Sequence, residues 1–587
     1  ANLNGRYVLG NALDGNGANF RSIGGDHSFT GVFDGLGNTV SRLKVTNPGK
    51  AVVGLFGVNA GRIANLALQS ITATGSTQYG SPVSVGALAG YNFGTISNVK
   101  ASDVVVTAKG YGASAGGLVG SNLSGTIDGA SVSGRVDGDH ETAYLGGLVG
   151  ENVTLHGGAA ARISNSHANV RVTAARDAAA GGLVGVNERG ATIERSSSSA
   201  IVTAGANAVA GGLVGANDGM IDASRATGAV TVGDAGIAGG LVGKNNGDIL
   251  ASTADGDVKA GASSNVGGLV GANDGQIQDS RANGAVMAAA SSRAGGLVGV
   301  NGAQADIRGS VAHGNVTVDG IGTLGGLVGL NEGLVETSDA HGTVTASDDS
   351  TAGGLVGVNN GSIDAARAFG NVRAGKSSKA GGLAGVNAGY INASEAAGKV
   401  AAGLASTAGG LVGVNTGIIA QSKASGAVSA GVGSQLGGLV GLNERGSILH
   451  SSASGDVDGD MLSDIGGLVG RHASGLIESS RATGSVKGTG TSNVGGLVGN
   501  NSGTVNASSS SGNVSGSGTT RLGGLIGSNY GWVNQSTTSS RVAFTDGSGN
   551  FRGALAGLNF GSLNGNTATG AATSVRLVGI NFGRLKD

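Results

Sequence analysis

The chain has no cysteine, only two prolines, and aromatic residues at 3% of its 587 positions. Without cysteine there is neither a disulfide framework nor a thiolate metal site. So little proline excludes collagen, which also needs glycine at every third position. The scarcity of aromatics leaves Val, Leu, Ile and Ala to build the core. An excess of one charge is missing too. The 36 Lys and Arg face 37 Asp and Glu, so nothing marks a nucleic-acid-binding surface or a polybasic membrane anchor. No apolar run approaches the length of a transmembrane helix, and no stretch keeps a helical period over three turns. The chain opens on Ala1 with neither methionine nor a charged-then-apolar signal segment. It reads as a piece of a longer secreted protein.

What is abundant is glycine, 120 residues, beside 39% hydrophobic residues. That is enough for a buried core and too much for a disordered linker. Gly-Gly-Leu-Val-Gly or a close variant recurs nineteen times, its leucines running from Leu55 to Leu577 and most often 28 residues apart. In the unit from Gly409 to Val428, apolar Leu411, Ile419, Ala424 and Val428 alternate with polar or small residues, as in a strand with one buried face. Gly413, Gly417 and Gly426 fall where turns need positive φ or close backbone approach. One such unit cannot bury its own Leu and Val, and stacking the units makes a continuous core. The expected fold is all-β: a right-handed parallel β-helix or solenoid of about nineteen repeats of about 28 residues. Each repeat would form a rung of two or three strands. Residues 1–46, with Tyr7, Phe20, Phe29 and Phe33, read as an N-terminal Phe-rich β module, and residues 47–587 as the repeat array.

Four residues after each leucine stands Asn: Asn59, Asn92, Asn122, Asn152, Asn187, Asn217, Asn245, Asn273, Asn301, Asn331, Asn359, Asn387, Asn415, Asn443, Asn501, Asn529, Asn559 and Asn581, with His472 the one exception. In a coil these amides would form a structural ladder, each linked to the rungs above and below. A second column, between the Ser and Ala of the unit, is basic at Arg225, Arg281, Arg367 and Lys423, with Asp339 or Glu395 in units between. Outward-facing and partly self-compensating, it is a possible face for an acidic glycan. Asp14, Asp34, Asp456, Asp458 and Asp460 sit in Gly-rich turns that suit calcium, or simply a solvated acid. No other cofactor is indicated. Gly370–Ser377 fits the phosphate-loop pattern, but no helix former follows it. Acidic residues are scattered over loops of consensus units, whereas a catalytic site should break the repeat. Segments such as 376–379 and 348–350 vary just before the Gly-Gly pair, which maps to loops on one edge, where binding would lie. Tyr530, Trp532, Phe560 and Phe582 are expected to fill core or cap the Asn turn, with stacking on sugars as the alternative.

The string Gly-Gly-Leu-Val-Gly-x-Asn-x-Gly, followed by Ile and Ser-x-Ala-x-Gly-x-Val, resembles the GLUG repeat. Phe29–Gly35 with Asn38, Thr39 and Val40 resembles the module that often precedes such arrays. The resemblance implies a β-helical stalk in a bacterial surface or secreted protein, such as a haemagglutinin-like adhesin exported by two-partner secretion. Its location would be extracellular or at the bacterial cell surface, and the full-length protein would have an outer-membrane secretion partner. The expected function is an adhesive or structural module that binds matrix exopolysaccharide, a host surface glycan or other cells, without enzymatic activity. Two alternatives stay open: a self-associating filament or stalk subunit, and a carbohydrate-active enzyme on a β-helix.

Overall fold

The computed structural model describes residues 2–47, 49–76, 82–139, 142–546 and 551–586. The chain divides into two compact units, Ala1–Ala289 with Leu297–Gly299 and Ala290–Gly296 with Val300–Asp587. Each is a parallel β-solenoid, about twenty turns in all. Among the described residues there is no α-helix, only a 3₁₀ turn at Gly570–Ser574.

One turn shows the construction. It runs through the strands Val412–Asn415, Ile418–Ala420, Lys423–Ala424, Val428–Ala430 and Gln435–Gly437. Each pairs in parallel with its counterpart one turn on: Asn415 with Asn443, Ile419 with Ile448, Ala424 with Ala453, Val428 with Val457, Leu436 with Ile465. This turn thus has five short strands, not two or three; in the early turns strands merge, and the turn through Ala89–Asn92, Thr95–Lys109 and Ala113–Gly116 has three. The extra breaks are corners at left-handed residues, here Gln421 (φ 51°) and Gly433 (φ 74°), and in most turns at residues other than glycine, such as Ala405 (φ 52°) in the turn before. The repeated glycines serve another need, because Gly413, Gly417 and Gly426 have no left-handed φ. A Cβ on Gly410 would lie 2.1 Å from the Gly438 carbonyl oxygen of the next turn, and one on Gly417 2.1 Å from that of Gly389 in the turn before. Close stacking, not turn geometry, selects glycine there.

Leu411, Val412, Ile419, Ala424, Val428 and Leu436 are buried, and the same columns fill the interior of both units. The first turns carry a larger core, where Phe29 and Phe33 pack on Phe56 with ring centroids 5.1 and 5.6 Å apart. Insertions are not confined to one edge. The widest repeat owes its length to residues 154–161, which follow the Asn strand Val149–Val153 rather than precede the Gly-Gly pair.

The asparagines are joined amide to amide, and all but the last, Asn581, are buried. In the first unit Asn59 Nδ2 donates to Asn92 Oδ1 at 2.7 Å, and the chain of bonds continues through Asn122, Asn152, Asn187, Asn217 and Asn245 to Asn273. In the second unit it runs from Asn301 through Asn331, Asn359, Asn387 and Asn415 to Asn443, and again from Asn501 through Asn529 and Asn559 to Asn581. His472 occupies the gap. Its Nδ1 lies 3.0 Å from Asn443 Nδ2 and its Nε2 3.3 Å from the Thr504 carbonyl. An amide NH₂ can only donate, so Nδ1 accepts, the proton sits on Nε2, and the ring is neutral. Burial drives its pKa down to about 4.

Two further columns are serine. In one, the Ser394 N–H donates to Ser422 Oγ at 3.2 Å and the Ser422 N–H to Ser451 Oγ at 3.1 Å. In the other, Ser378, Ser406, Ser434 and Ser463 are linked in the same way. Each serine follows a left-handed corner residue, such as Ala393, Gln421, Ser377 or Ala405. A left-handed corner costs about 1–2 kcal/mol for a residue with a Cβ and turns the next N–H away from strand pairing. The hydroxyl of the next turn receives that N–H.

Ser422→Ala should therefore destabilise the second unit by about 1–3 kcal/mol, because it strands the Ser394 N–H; Gln421→Gly at the same corner should be neutral or stabilising. Chemical denaturation of the two variants checks the contrast. His472 contributes a pH dependence of defined sign. Its folded pKa is below the ordinary 6.5, so the unfolded chain binds the proton more readily. Stability is complete above about pH 6.5 and falls as pH drops towards 4, by about 3 kcal/mol over the window. Hydrogen exchange around His472 should lose protection between pH 7 and 4.5 in the wild type and keep it in His472→Asn.

Candidate functional site

The expected basic face is exposed, and much of it is already paired. Arg225 Nε bonds Asp255 at 2.6 Å, and Arg367 grips Asp339 through Nε and Nη2 at 2.9 and 2.7 Å. Arg367 also lies beside Glu395, which is in register with Lys423, and Arg281 stands in register with Thr253. From Asp339 to Lys423 the column alternates in sign, and uncharged Thr253 separates Arg225 from Arg281, so there is no continuous cationic track.

The candidate calcium acids have protein partners. Asp14 takes the Arg42 guanidinium (Nε at 2.8 Å), and Asp34 accepts the Leu36 N–H and the Asn65 amide, which hold its carboxyl below the usual range. Asp456 accepts the Ser485 N–H, Asp458 lies 3.9 Å from Lys487 Nζ, and Asp460 accepts the Met461 N–H and the Thr489 hydroxyl. Among the described residues no three acidic, His or Cys side chains converge as a metal site would require. The phosphate-loop pattern Gly370–Ser377 falls on the strand Val372–Ala374 and the turn after it, and a further strand, Lys379–Gly381, follows where a phosphate site would need a helix.

A different site emerges from the stacking. The residue before each ladder asparagine and the residue two before each Gly-Gly leucine strand's first paired glycine form two facing columns along a groove. Ser84 Oγ meets Ser121 Oγ across it at 2.5 Å in the first unit, and Ser528 Oγ meets Asn493 Oδ1 at 2.7 Å in the second. In most turns the column before the asparagines holds small or aliphatic residues, such as Val186, Ala216, Val358 and Val386, while the facing column is mixed, with Val209 and Ile237 but also Asn265, Arg293, Lys379 and Gln435. Three consecutive turns of the first unit depart from this, with Tyr91, Ser121 and Glu151 in register on one wall and Ser84, Ser114 and Tyr144 on the other. There the groove opens into a cleft of about 490 Å³, lined by Tyr91, Tyr111, Tyr144, Ser84, Ser121 and Glu151.

Glu151 dominates the electrostatics of this cleft. Burial pushes its carboxyl up to about 7, opposed by the Ser121 hydroxyl at 3.3 Å and assisted by the charge of Glu188. Near neutrality it can therefore act as donor or acceptor. Burial, and then the charge of Glu151, raise the phenols of Tyr91 and Tyr144, which stay protonated as donors. The second unit has a related polar stretch of groove. There Asp464, its carboxyl raised by burial, accepts the Asn493 amide at 2.6 Å, and Arg521 Nη1 donates to Asn493 Oδ1 at 3.0 Å.

The expectation that acids lie only in loops of consensus units fails at Glu151, which is on a strand in the longest repeat. The signal was available: a carboxylate at the position before the asparagine, flanked one turn earlier by Ser121 and two turns earlier by Tyr91. Tyr530, Trp532, Phe560 and Phe582 do not fill core either, for all four are exposed.

In comparison with known proteins, the GLUG motif matches residues 432–458, one turn of the second unit. Halomucin of Haloquadratum walsbyi is 37% identical over 98 residues, 16% of this chain and 1% of that protein. A solved Bacteroides ovatus chain, assigned as an immunoglobulin A1 protease, aligns over 54% of this chain and 71% of its own at 20% identity. Its TM-score of 0.24 supports no inference about fold or activity.

Glu151 gives the first unit a pH dependence opposite in sign to that of His472. Its folded pKa exceeds the ordinary 4.5, so its contribution is complete below about pH 4.5 and is lost as pH rises towards 7, by about 3 kcal/mol. Glu151→Gln should remove that loss and be the more stable protein at pH 8. Hydrogen exchange across the strands 119–123 and 149–153 at pH 5 and 8 measures it.

Proposed function

We propose that the chain is an adhesive module of a secreted or cell-surface protein, and that the Tyr91–Tyr144–Glu151 cleft holds the glycan it recognises. The observation that carries this reading is the cleft itself. There the groove brings together three tyrosines, two serine hydroxyls and a carboxyl poised near neutrality around one cavity. A sugar offers an apolar ring face and a rim of hydroxyls. Its binding sites combine aromatic surface with a few convergent donors and acceptors. Tyr91, Tyr111 and Tyr144 supply the first, and Ser84, Ser121 and Glu151 the second. The surroundings suit adhesion: a scaffold tied turn to turn by buried amides and hydroxyls keeps such a site preorganised, so little conformational entropy is lost on binding. The GLUG motif and the Halomucin match support a repeat-containing surface protein as the setting. The ligand class is an exopolysaccharide or a host or bacterial surface glycan.

Retention of the purified chain on immobilised exopolysaccharides and host glycans tests this. Selective retention by one class, weakened about tenfold or more in Tyr144→Ala and altered in pH profile by Glu151→Gln, is expected for loss of an aromatic contact and a charged hydrogen bond. Retention by none, or retention equal in wild type and both variants, would sink the assignment.

A further inference from the structure

The last turns of the second unit carry a second cleft, on the outer surface and unrelated to the groove. The residues following Asn529, Asn559 and Asn581 are Tyr530, Phe560 and Phe582. In-register stacking puts their rings face to face, with centroids 5.3 and 5.0 Å apart and planes within 9° and 14°. The next residues along, Gly531, Gly561 and Gly583, form a floor without side chains, and beyond them Trp532, Ser562 and Arg584 form a second in-register column. Together they enclose about 500 Å³. The rings are far from buried, with Trp532 60% and Phe582 69% exposed.

Stacking among themselves does not account for this arrangement, because Trp532 stands across the glycine floor from the column and adds nothing to it. Soluble proteins rarely leave a contiguous aromatic patch open without a use for it. The charge nearby identifies the use. Arg584 is the one charged side chain in the lining of the cleft, and no acidic side chain lines it. Arg584 and Lys586 lie two apart on one exposed strand and so project to the same side. An aromatic wall, an indole N–H, a hydroxyl and a guanidinium over an open floor, with Lys586 farther along the strand, match a sugar ring bearing a carboxylate. The ring lies on aromatic surface, and the guanidinium takes the carboxylate in a bidentate pair.

We propose that this cleft binds a carboxylated polysaccharide, a uronic-acid chain laid along the glycine floor between Trp532 and the Tyr530–Phe560–Phe582 column. It stands independently of the cleft at Glu151. Trp532 is the single tryptophan of the chain, so its fluorescence reports on this site alone. Titration of the full chain with polygalacturonate should shift Trp532 emission saturably, with an affinity that falls as salt rises. The neutral polymer dextran should give no shift at the same concentrations. Arg584→Ala, at an exposed position, should weaken the response about tenfold, the order expected for a charge-assisted pair, whereas Tyr144→Ala in the other cleft should leave it unchanged. No emission change with polygalacturonate, an equal change with dextran, or a response unaffected by Arg584→Ala would each overturn the proposal. Because the Tyr144→Ala chain is read in parallel, either cleft can fail while the other stands.

Discussion

Everything in this structure depends on one constraint: each turn must satisfy the backbone and side-chain hydrogen bonds of the next. A strand pair inside a globular domain settles its bonding once. Here the same residue, at the same place, meets its own copy above and below, so any residue chosen for a position is chosen for contact with itself. Asn suits this because its amide is donor at one end and acceptor at the other, and identical copies bond head to tail without leaving a lone group in the core. Serine at the corners works on a related principle. Its oxygen receives the N–H of the turn before, and its proton goes to the carbonyl two residues back, as Ser422 does with Ala420. Glycine is required by the same self-contact, since a Cβ on one turn would press into the carbonyl of the next.

The cost of such a design is carried at the corners. A solenoid turn must change direction several times, and most of the left-handed bends fall at residues such as Ala, Gln, Ser or Asp rather than at glycine. The hydroxyl ladders are what make those bends tolerable. They supply a partner for an N–H that the bend removes from strand pairing, and a buried N–H without a partner would add a cost as large as that of the bend itself. His472 shows the same logic under substitution. The ring keeps one acceptor towards Asn443 and one donor towards Thr504, but it can do so only while neutral. An uncharged ladder has acquired a group that titrates.

This also explains what could be read in the sequence and what could not. The period, the buried leucine column and the asparagine column are visible because each tolerates essentially one residue type. Strand number was misread because alternation across a left-handed corner looks like alternation along a strand: Ile418–Ala420 and Lys423–Ala424 run on in pattern, and only φ at Gln421 separates them. The serine columns were hidden for the opposite reason. Serine is common, the residue before it varies freely, and the columns lapse at Ala366 and Gly322, where a backbone N–H still donates to the serine of the following turn. Glu151 was passed over because acids were weighed as loop residues. Its meaning lies in what stands beside it two and one turns earlier, a distance that no local motif spans.

Function enters this fold where self-contact is relaxed. Positions in the ladders cannot change without disturbing two neighbours, so new chemistry is confined to columns whose copies merely pack or face water. The groove is one such column pair. On the wall before the asparagines the aliphatic members need only volume, which leaves room for Tyr91, Ser121 and Glu151 to replace them in three adjacent turns and open a cleft. The position after each asparagine is another: it is exposed in turn after turn, and in the last turns it holds Tyr530, Phe560 and Phe582. In both places the stacking aligns the new side chains in a row at the strand spacing of about 4.8 Å. A site built this way is elongated along the stack and repeats its contacts at a fixed step. Such geometry favours a polymer over a small molecule, because each further unit of a polymer meets another copy of the same wall.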